Sequence, residues 1–491
     1  MRPALAATFT RRFALVALAA ALVACASTPP DAASVIARAE AVMGGAGLKS
    51  IRYAGTGTGS TYGQAYVAGE AWPKVNVVSF ARVADYANAA LRQDMAVNRA
   101  EPTGGGAVPL MGMGEQRVTG MLQGDHAWNM AGPAPVAAPV ALDGRIHDLW
   151  TTPHGVLKSA ARNKATSGTR TVDGKTYTTL SFAEPGRFEA TAFVGADGLV
   201  ERVESRLPHP VVGDLGSVIT YSGYKEHGGV KFPTRIVQTM GGAVVLDLQV
   251  AEVQTNVPAL PEAPELVRQF RETVAAQPAA PGVWFLAGGS HNSVLIEMKD
   301  HLVLVEAPLY DGRSGAVIAE ARKLVPGKPL RFVVNSHHHF DHAGGLRTAV
   351  SEGATLITSA AAKPWYEKAL ANPNRIRPDA LARSGRSATV EGVSGQRTLS
   401  DGSRTVEIRE IGGSIHVQGF LMVYLPAEKL LIEADAYTPG APNAPAPAVP
   451  NANNVNLLEN IERQKLAVDR ILPLHGRMVT LAELVTATGR K

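Results

Sequence analysis

The chain has 491 residues, 45% of them apolar, which suffices for sizeable cores, excludes global disorder and, at roughly 100–200 residues per domain, implies two or three domains. The formal net charge is +5, of which Arg2, Arg11 and Arg12 lie in a segment expected to be removed, leaving about +2. That mild balance, with no Lys/Arg run and no aromatic-interleaved basic stretch, argues against nucleic acid as a partner. The single cysteine, Cys25, excludes an intrachain disulfide.

Residues 1–24 read as an export signal. Arg11 and Arg12 precede an apolar run, Phe13 to Val23, of secretory length and short of the ~20 apolar residues that a spanning helix needs. The run ends in Leu22-Val23-Ala24-Cys25, which resembles a bacterial lipobox. The resemblance implies cleavage before Cys25, a lipid on that residue and a membrane-anchored, periplasmic protein. Ala26, where an Asp would suggest inner-membrane retention, favours the outer membrane. Ordinary secretion is the alternative, because Ala24-Cys25-Ala26 also fits a small-x-small cleavage site. Residues 25–33 then form a lipidated tether.

Residues 34–257 read as a β-rich accessory domain. It opens with an amphipathic helix, Ser34 to Met43, that buries Val35, Ile36, Ala39 and Val42 and stops at Gly44-Gly45. Residues 101–140 are rich in Gly, Pro and Ala and are expected to form a long loop or insertion. Asp173-Gly174 and Asp197-Gly198 sit between extended runs and predict two-residue hairpins. His227-Gly228-Gly229 and Gly241-Gly242 separate further strands, completing an antiparallel meander with one buried face. The spacing of these last strands resembles the curved half-barrel sheets of periplasmic lipoprotein-sorting proteins over about 40 residues.

Residues 258–282, with two Pro/Ala-rich stretches around a helix-like piece, Glu265 to Val274, read as a semi-rigid linker. Residues 283–491 change pattern. Strand-like runs at Val283–Leu286, Ser293–Met298 and Leu302–Glu306 precede a helix at Ala316–Leu324 and an apolar strand, Leu330–Asn335. Such alternation indicates an α/β layer architecture.

That last strand runs into Ser336-His337-His338-His339-Phe340-Asp341-His342-Ala343-Gly344-Gly345, which holds four of the chain's 13 histidines. A strand followed by a tight turn points His337 and His339 to one side and His338 to the other. Neutral imidazoles suit zinc and similar divalent ions. Asp341 and His342, in the turn, can reach a second ion, and the glycines let the chain bend into a helix.

Ser-His-x-His-x-Asp-His resembles the signature of the metallo-β-lactamase superfamily. The resemblance implies an αββα four-layer sandwich and further ligands at later strand ends, and His416, Asp435 and His475 stand there in order. The implied assignment is His337, His339 and His416 on one ion, Asp341, His342 and His475 on the other, with Asp435 bridging them. The ions would be two divalent metals, zinc before manganese or iron. They would sit ~3.5–4 Å apart and share a hydroxide that attacks a small-molecule substrate. Asp341 would also orient that hydroxide or shuttle a proton. Glu306 matches an acidic residue that supports the site without ligating.

The cysteine-bearing β-lactamase subclasses place a Cys where Asp435 stands, so they are excluded. Asp435 instead makes the site resemble esterases of the lactonase, thioesterase and phosphodiesterase kinds, although His416-Val417-Gln418-Gly419-Phe420 departs from their usual His-Thr-Pro-Gly-Ser. A Pro/Ala/Asn-rich loop, Tyr437 to Asn454, follows Asp435 and is expected at the mouth of the site. The expected function is an exported metal-dependent hydrolase of a small ester, lactone, thioester or amide. The alternative is a non-catalytic envelope lipoprotein that binds an apolar ligand through its β-rich half, and a β-lactamase is a minor third.

Overall fold

The computed structural model describes residues 30–101, 106 and 114–490. The export signal, Cys25 with its expected lipid, and most of the tether lie outside these residues. The first helix, Ala32–Met43, begins earlier than expected because the Asp31 side chain accepts the Ser34 N–H at 3.1 Å and caps it. It ends at Gly44, φ 69°, where a Cβ would stand 1.9 Å from the Gly229 carbonyl oxygen. Its buried face is Val35, Ile36, Ala39 and Met43, so Met43 takes the place expected for Val42.

Among the described residues, the first half of the chain forms a thirteen-stranded antiparallel sheet and a separate two-stranded one, Lys225–His227 with Val230–Phe232. Strands from Ser50–Ser60 to Ala134–Ala137 run outward to one edge, and those from Gly213–Ser222 back to Thr166–Val172 run to the other. Ala243–Thr255 closes the centre by pairing with Ser50–Ser60, Ile51 opposite Thr255. Bulges at Gly55 and Gly57 bend this central strand. A side chain there would meet the Gln249 or Asp247 carbonyl oxygen at 1.9 and 2.0 Å, which explains the Gly-Thr-Gly sequence. Helices Leu142–Trp150 and Pro153–Arg162 pack on one face, sharing a core with Ile51, Tyr53, Phe80 and Phe232.

Two expectations need correction. The stretch 101–140 is not simply a loop, because it holds the strands Gln116–Gln123, His126–Ala131 and Ala134–Ala137, folded back at Gly124 and Gly132, both with positive φ. The linker is shorter than expected. Its helix is only Glu265–Arg268, and Ala275–Ala280 pairs with Val283–Ala287 as an edge strand, where Pro278 is tolerated. Asp173-Gly174 does form a two-residue turn with both residues at positive φ, whereas Asp197-Gly198 sits in a longer loop.

The second half stacks a seven-stranded sheet, Ala275–Ala280 to Val390–Val393, on a six-stranded one, Gln396–Ser400 to Val479–Thr480. Side-chain alternation builds it. Phe285, Val294, Ile296 and Val303 face the core between the sheets, while Leu286, Leu295 and Leu304 face the helix Asp311–Leu324 outside. Leu457, Ile461 and Leu484, from helices Ala452–Arg463 and Leu481–Ala487, cover the other side. This is the expected αββα sandwich.

The two halves are stitched together. Arg375 N–H donates to Asp214 at 2.8 Å, Arg377 pairs with Asp143 at 2.9 Å, and Val211 joins the core of the second half.

His147 and His154 are buried in the first half, His147 against Ser205 Oγ at 2.7 Å and His154 against the Met43 carbonyl at 3.1 Å. Burial pushes both imidazoles down to about 4. Below pH ~6.5 the unfolded chain takes up protons that the folded chain refuses, so stability falls between pH 6.5 and 4 and no further from this source. Each histidine should contribute a loss of roughly 2–3 kcal/mol. Urea midpoints followed by tryptophan fluorescence should drop from pH 7 to pH 4.5, with a smaller drop in His147→Gln. An equal drop in that variant would contradict neutral burial of His147.

Candidate metal centre

The strand Leu330–Val334 ends at Asn335, and the chain then turns into the short helix Phe340–Ala343, with His339 at its N-cap. His337 and His339 leave the turn together, ring centroids 4.5 Å apart. His416, in the loop before Leu421–Leu425, brings its Nε2 to 3.3 Å from His337 Nε2. His475, after Arg470–Pro473, brings its Nε2 to 3.2 Å from His342 Nε2.

Asp435, just past Leu430–Glu433, stands between these pairs. Its Oδ1 lies 2.8 Å from His342 Nε2 and 3.0 Å from His475 Nε2. Its Oδ2 lies 3.1 Å from His416 Nε2 and 3.8 Å from His337 Nε2. Two groups result, His337, His339, His416, Asp435 and His291, Asp341, His342, His475. Within each group, one nitrogen or oxygen per residue lies within 4.8 Å of the others. The structure thus gathers every expected ligand, leaves out His338 and adds His291.

These groups fit divalent metal ions. Two Nε2 atoms at 3.2–3.3 Å satisfy each other only when one of them carries a proton; with both rings neutral and protonated at the opposite nitrogen, two lone pairs face each other. His339 Nδ1 and Asp435 Oδ1 are buried with no aligned hydrogen bond, despite the short approaches to Asp435. The opposite ring nitrogens are held. His339 Nε2 donates to the Ala65 carbonyl at 3.0 Å, His475 Nδ1 to the Ser290 carbonyl at 2.9 Å, and His337 Nδ1 meets Ser336 Oγ at 2.9 Å. Such outer contacts fix the tautomer and aim the other nitrogen inward, as metal-binding histidines require.

The charges point the same way. Burial pushes His337 and His339 well below the ordinary imidazole range, aided by neighbouring histidines. Burial also opposes the charge on His342, but Asp435 and Asp341 outweigh it and raise that imidazole to about 10. The site therefore holds negative charge that draws a proton onto a buried ring, the role a cation takes over. Asp341 and Asp435 stay well below the usual carboxylate range; burial opposes this, and His342 overcomes it.

Gly344 and Gly345 do their work differently from the expected bend. Neither has positive φ. A Cβ would stand 1.8 Å from the Leu309 carbonyl at Gly344 and 1.8 Å from Ser314 Oγ at Gly345, so they admit close packing. Glu306 is buried at φ 68°, a strained position for a side-chain-bearing residue. Its carboxylate accepts the Ser336 N–H at 2.6 Å and the Asn335 amide at 3.3 Å, pinning the start of the histidine turn.

Two contributions escaped the sequence. His291 sits in a Gly-rich loop that Asn292 ties to the strand end carrying His475, accepting nothing from the motif but donating to the Pro473 and Gly476 carbonyls at 3.3 and 3.0 Å. His291 Nε2 then lies 3.3 Å from Asp341 Oδ2. A lone histidine after Gly288-Gly289 carries no motif. The second contribution is the segment Gly63–Tyr66 of the first half. Gln64 Nε2 donates to Asp341 Oδ1 at 2.9 Å, and the Ala65 carbonyl accepts from His338 at 2.9 Å as well as from His339. Tyr66 OH donates to the Ser414 carbonyl at 2.9 Å, beside His416. The loop after Asp435 is largely exposed, and its Gly440 carbonyl accepts from Arg477 at 3.4 Å, near His475.

Residues 286–468 match the family model described as the metallo-beta-lactamase superfamily. The second half of the chain has that fold. Solved structures similar over 44% of the chain include a metallo-beta-lactamase from Pontibacter korlensis, 17% identical over 98% of its own length, with a TM-score of 0.34. Another is a metallo-beta-lactamase from Pseudomonas aeruginosa in a mono-zinc form, 18% identical over 93% of its length, TM-score 0.33. A third is rubredoxin oxygen:oxidoreductase from Desulfovibrio gigas, 16% identical over 60% of its length, TM-score 0.35. No curated protein matches the sequence.

Glu306→Ala would release the Ser336 N–H and loosen the turn that carries His337 and His339. Zinc affinity, read by competition with a chromophoric chelator, should fall about 10–100-fold. Unchanged affinity would show that the turn holds its shape without this carboxylate.

Proposed function

We propose that the chain is an exported, lipid-anchored, metal-dependent hydrolase of a small-molecule ester, lactone, thioester or amide. One observation carries the reading: two tetrads of ligating side chains meet at Asp435, whose two oxygens face different tetrads. The Leu22–Cys25 motif supports the export and the anchor.

Divalent ions bound there would supply Lewis acidity and a water acidic enough to ionise near neutral pH. The chain supplies the rest. His337, His339 and His416 would hold one ion, and His342 and His475, with His291 or Asp341, the other, with Asp435 between them. Asp341 is held at both oxygens, by Gln64 at 2.9 Å and His291 at 3.3 Å. So fixed and ionised, it can orient a water by accepting a hydrogen bond from it. Tyr437 N–H donates to buried Glu433 at 2.9 Å, and this contact stiffens the turn that presents Asp435.

The test is hydrolysis by the full chain in detergent, over lactone, ester, thioester, phosphodiester and cephalosporin substrates. Turnover of one class should vanish on metal stripping and return with zinc or manganese. Asp341→Asn should lower kcat by about 10²–10⁴-fold. Asp435→Ala should lose more than ~100-fold together with bound metal, measured by elemental analysis. Turnover that survives metal removal, or full activity in Asp435→Ala, would sink the reading.

A further inference from the structure

A cavity of about 650 Å³ lies under the large sheet of the first half and reaches Asp341. Its size is within the ~300–1,000 Å³ of sites that bury a small organic ligand. We infer that this cavity holds the apolar acyl chain of the substrate while the bond to be cleaved lies beside Asp341. The inference rests on the hydrolase reading above and names the substrate class.

The walls decide the chemistry. Val75 and Phe80 on one strand, Leu91, Met95 and Val97 on the next, and Leu246 on Ala243–Thr255 line the space. Leu91, Met95 and Val97 share one face of their strand by alternation. The guanidinium groups that also line it already have partners in the protein. Arg82 pairs with Asp148 at 2.8 Å and donates to Gln93 at 3.0 Å. Arg145 is taken up by the Met121 and Trp128 carbonyls at 3.0 and 2.7 Å. The donors of both guanidinium groups are thus engaged by the protein itself, and the apolar walls between them suit a neutral apolar chain.

The mouth differs from the interior. Thr61, Tyr62 and Gln64 line the cavity next to Phe340 and Asp341. Thr61 Oγ1 and Tyr62 OH are buried and have no hydrogen-bond partner. Tyr62 is wedged edge-on between Trp72, His209 and Phe340, with centroids 4.8–5.6 Å apart. Two idle hydroxyls at the metal end of an apolar cavity suit a ligand that is polar at that end only, as an acyl ester or thioester is. The long axis of the substrate would thus run from the second half of the chain into the first.

The experiment uses the full chain, zinc-loaded, in a non-binding detergent. Binding of 11-(dansylamino)undecanoate is followed by fluorescence, and turnover is followed on p-nitrophenyl esters and acyl thioesters from two to twelve carbons. The probe should bind saturably and be displaced by dodecanoate. Met95→Trp and, as a second variant at another wall, Met240→Trp should weaken it at least tenfold while zinc content stays unchanged. The value of kcat/KM should rise about fourfold per methylene until the cavity is full, and the rise should flatten in both variants. Absence of probe binding, or equal binding in both folded variants, would overturn the cavity assignment while metal-dependent turnover stands. Probe binding with turnover that ignores chain length would overturn the assignment to substrate and mark a separate acyl ligand. Probe binding with no turnover of any class would remove the hydrolase reading, and the substrate assignment with it.

Discussion

Asp435 is a carboxylate with four imidazole nitrogens within 2.8–3.8 Å, in a site that is largely buried. Left alone, such a cluster must hold protons on buried rings or leave negative charge uncompensated, and both are costly in a low dielectric. The fold commits to that cost at four separate strand ends and never relieves it with an arginine or lysine. No such side chain pairs with Asp341 or Asp435 among the described residues. The arrangement makes physical sense as a cation site, and the surrounding structure serves to keep its lone pairs aimed inward.

The support is layered. Innermost are the second ring nitrogens of His337, His339 and His475, each fixed by a carbonyl or hydroxyl. Behind them stands Glu306, strained and buried, holding the Ser336 N–H. Tyr366 OH reaches Asn335 at 2.6 Å and fixes the same turn from the opposite side. Farther out, Arg313 donates to the Thr273 and His291 carbonyls at 2.8 and 3.2 Å, which locks the His291 loop to the linker. Loss of an outer contact should therefore show first as metal affinity and only later as stability.

Much of the site was legible because its spacing is local. His337, His339, Asp341 and His342 occupy one turn, and a strand that ends there presents them whatever the rest of the chain does. His416, Asp435 and His475 were legible only through the resemblance that the motif carries, which implies further ligands at later strand ends. His291 was not, because its place depends on Asn292 reaching across to the Pro473 and Gly476 carbonyls, a contact between residues nearly two hundred positions apart. Gln64 and Ala65 were hidden for the same reason. In the fold, strand-like runs alternating with a helix exposed an α/β layer architecture, and the resemblance implied the sandwich. The strands between Gln116 and Ala137 were masked by Gly, Pro and Ala, which signal turns by composition even where pairing builds a sheet.

The segment Gly63–Tyr66 changes the meaning of the first half. A passive accessory domain would need only to be tethered, yet this one supplies the hydrogen bond to Asp341, the carbonyl that sets the His339 tautomer and the contact that holds the His416 loop. Separation of the halves would remove all three at once. An apolar-ligand module and a metal hydrolase, which the sequence left as rival readings, are therefore not rivals in this geometry. The cavity of one ends at the carboxylate of the other, so what the sheet binds decides what the metal centre meets.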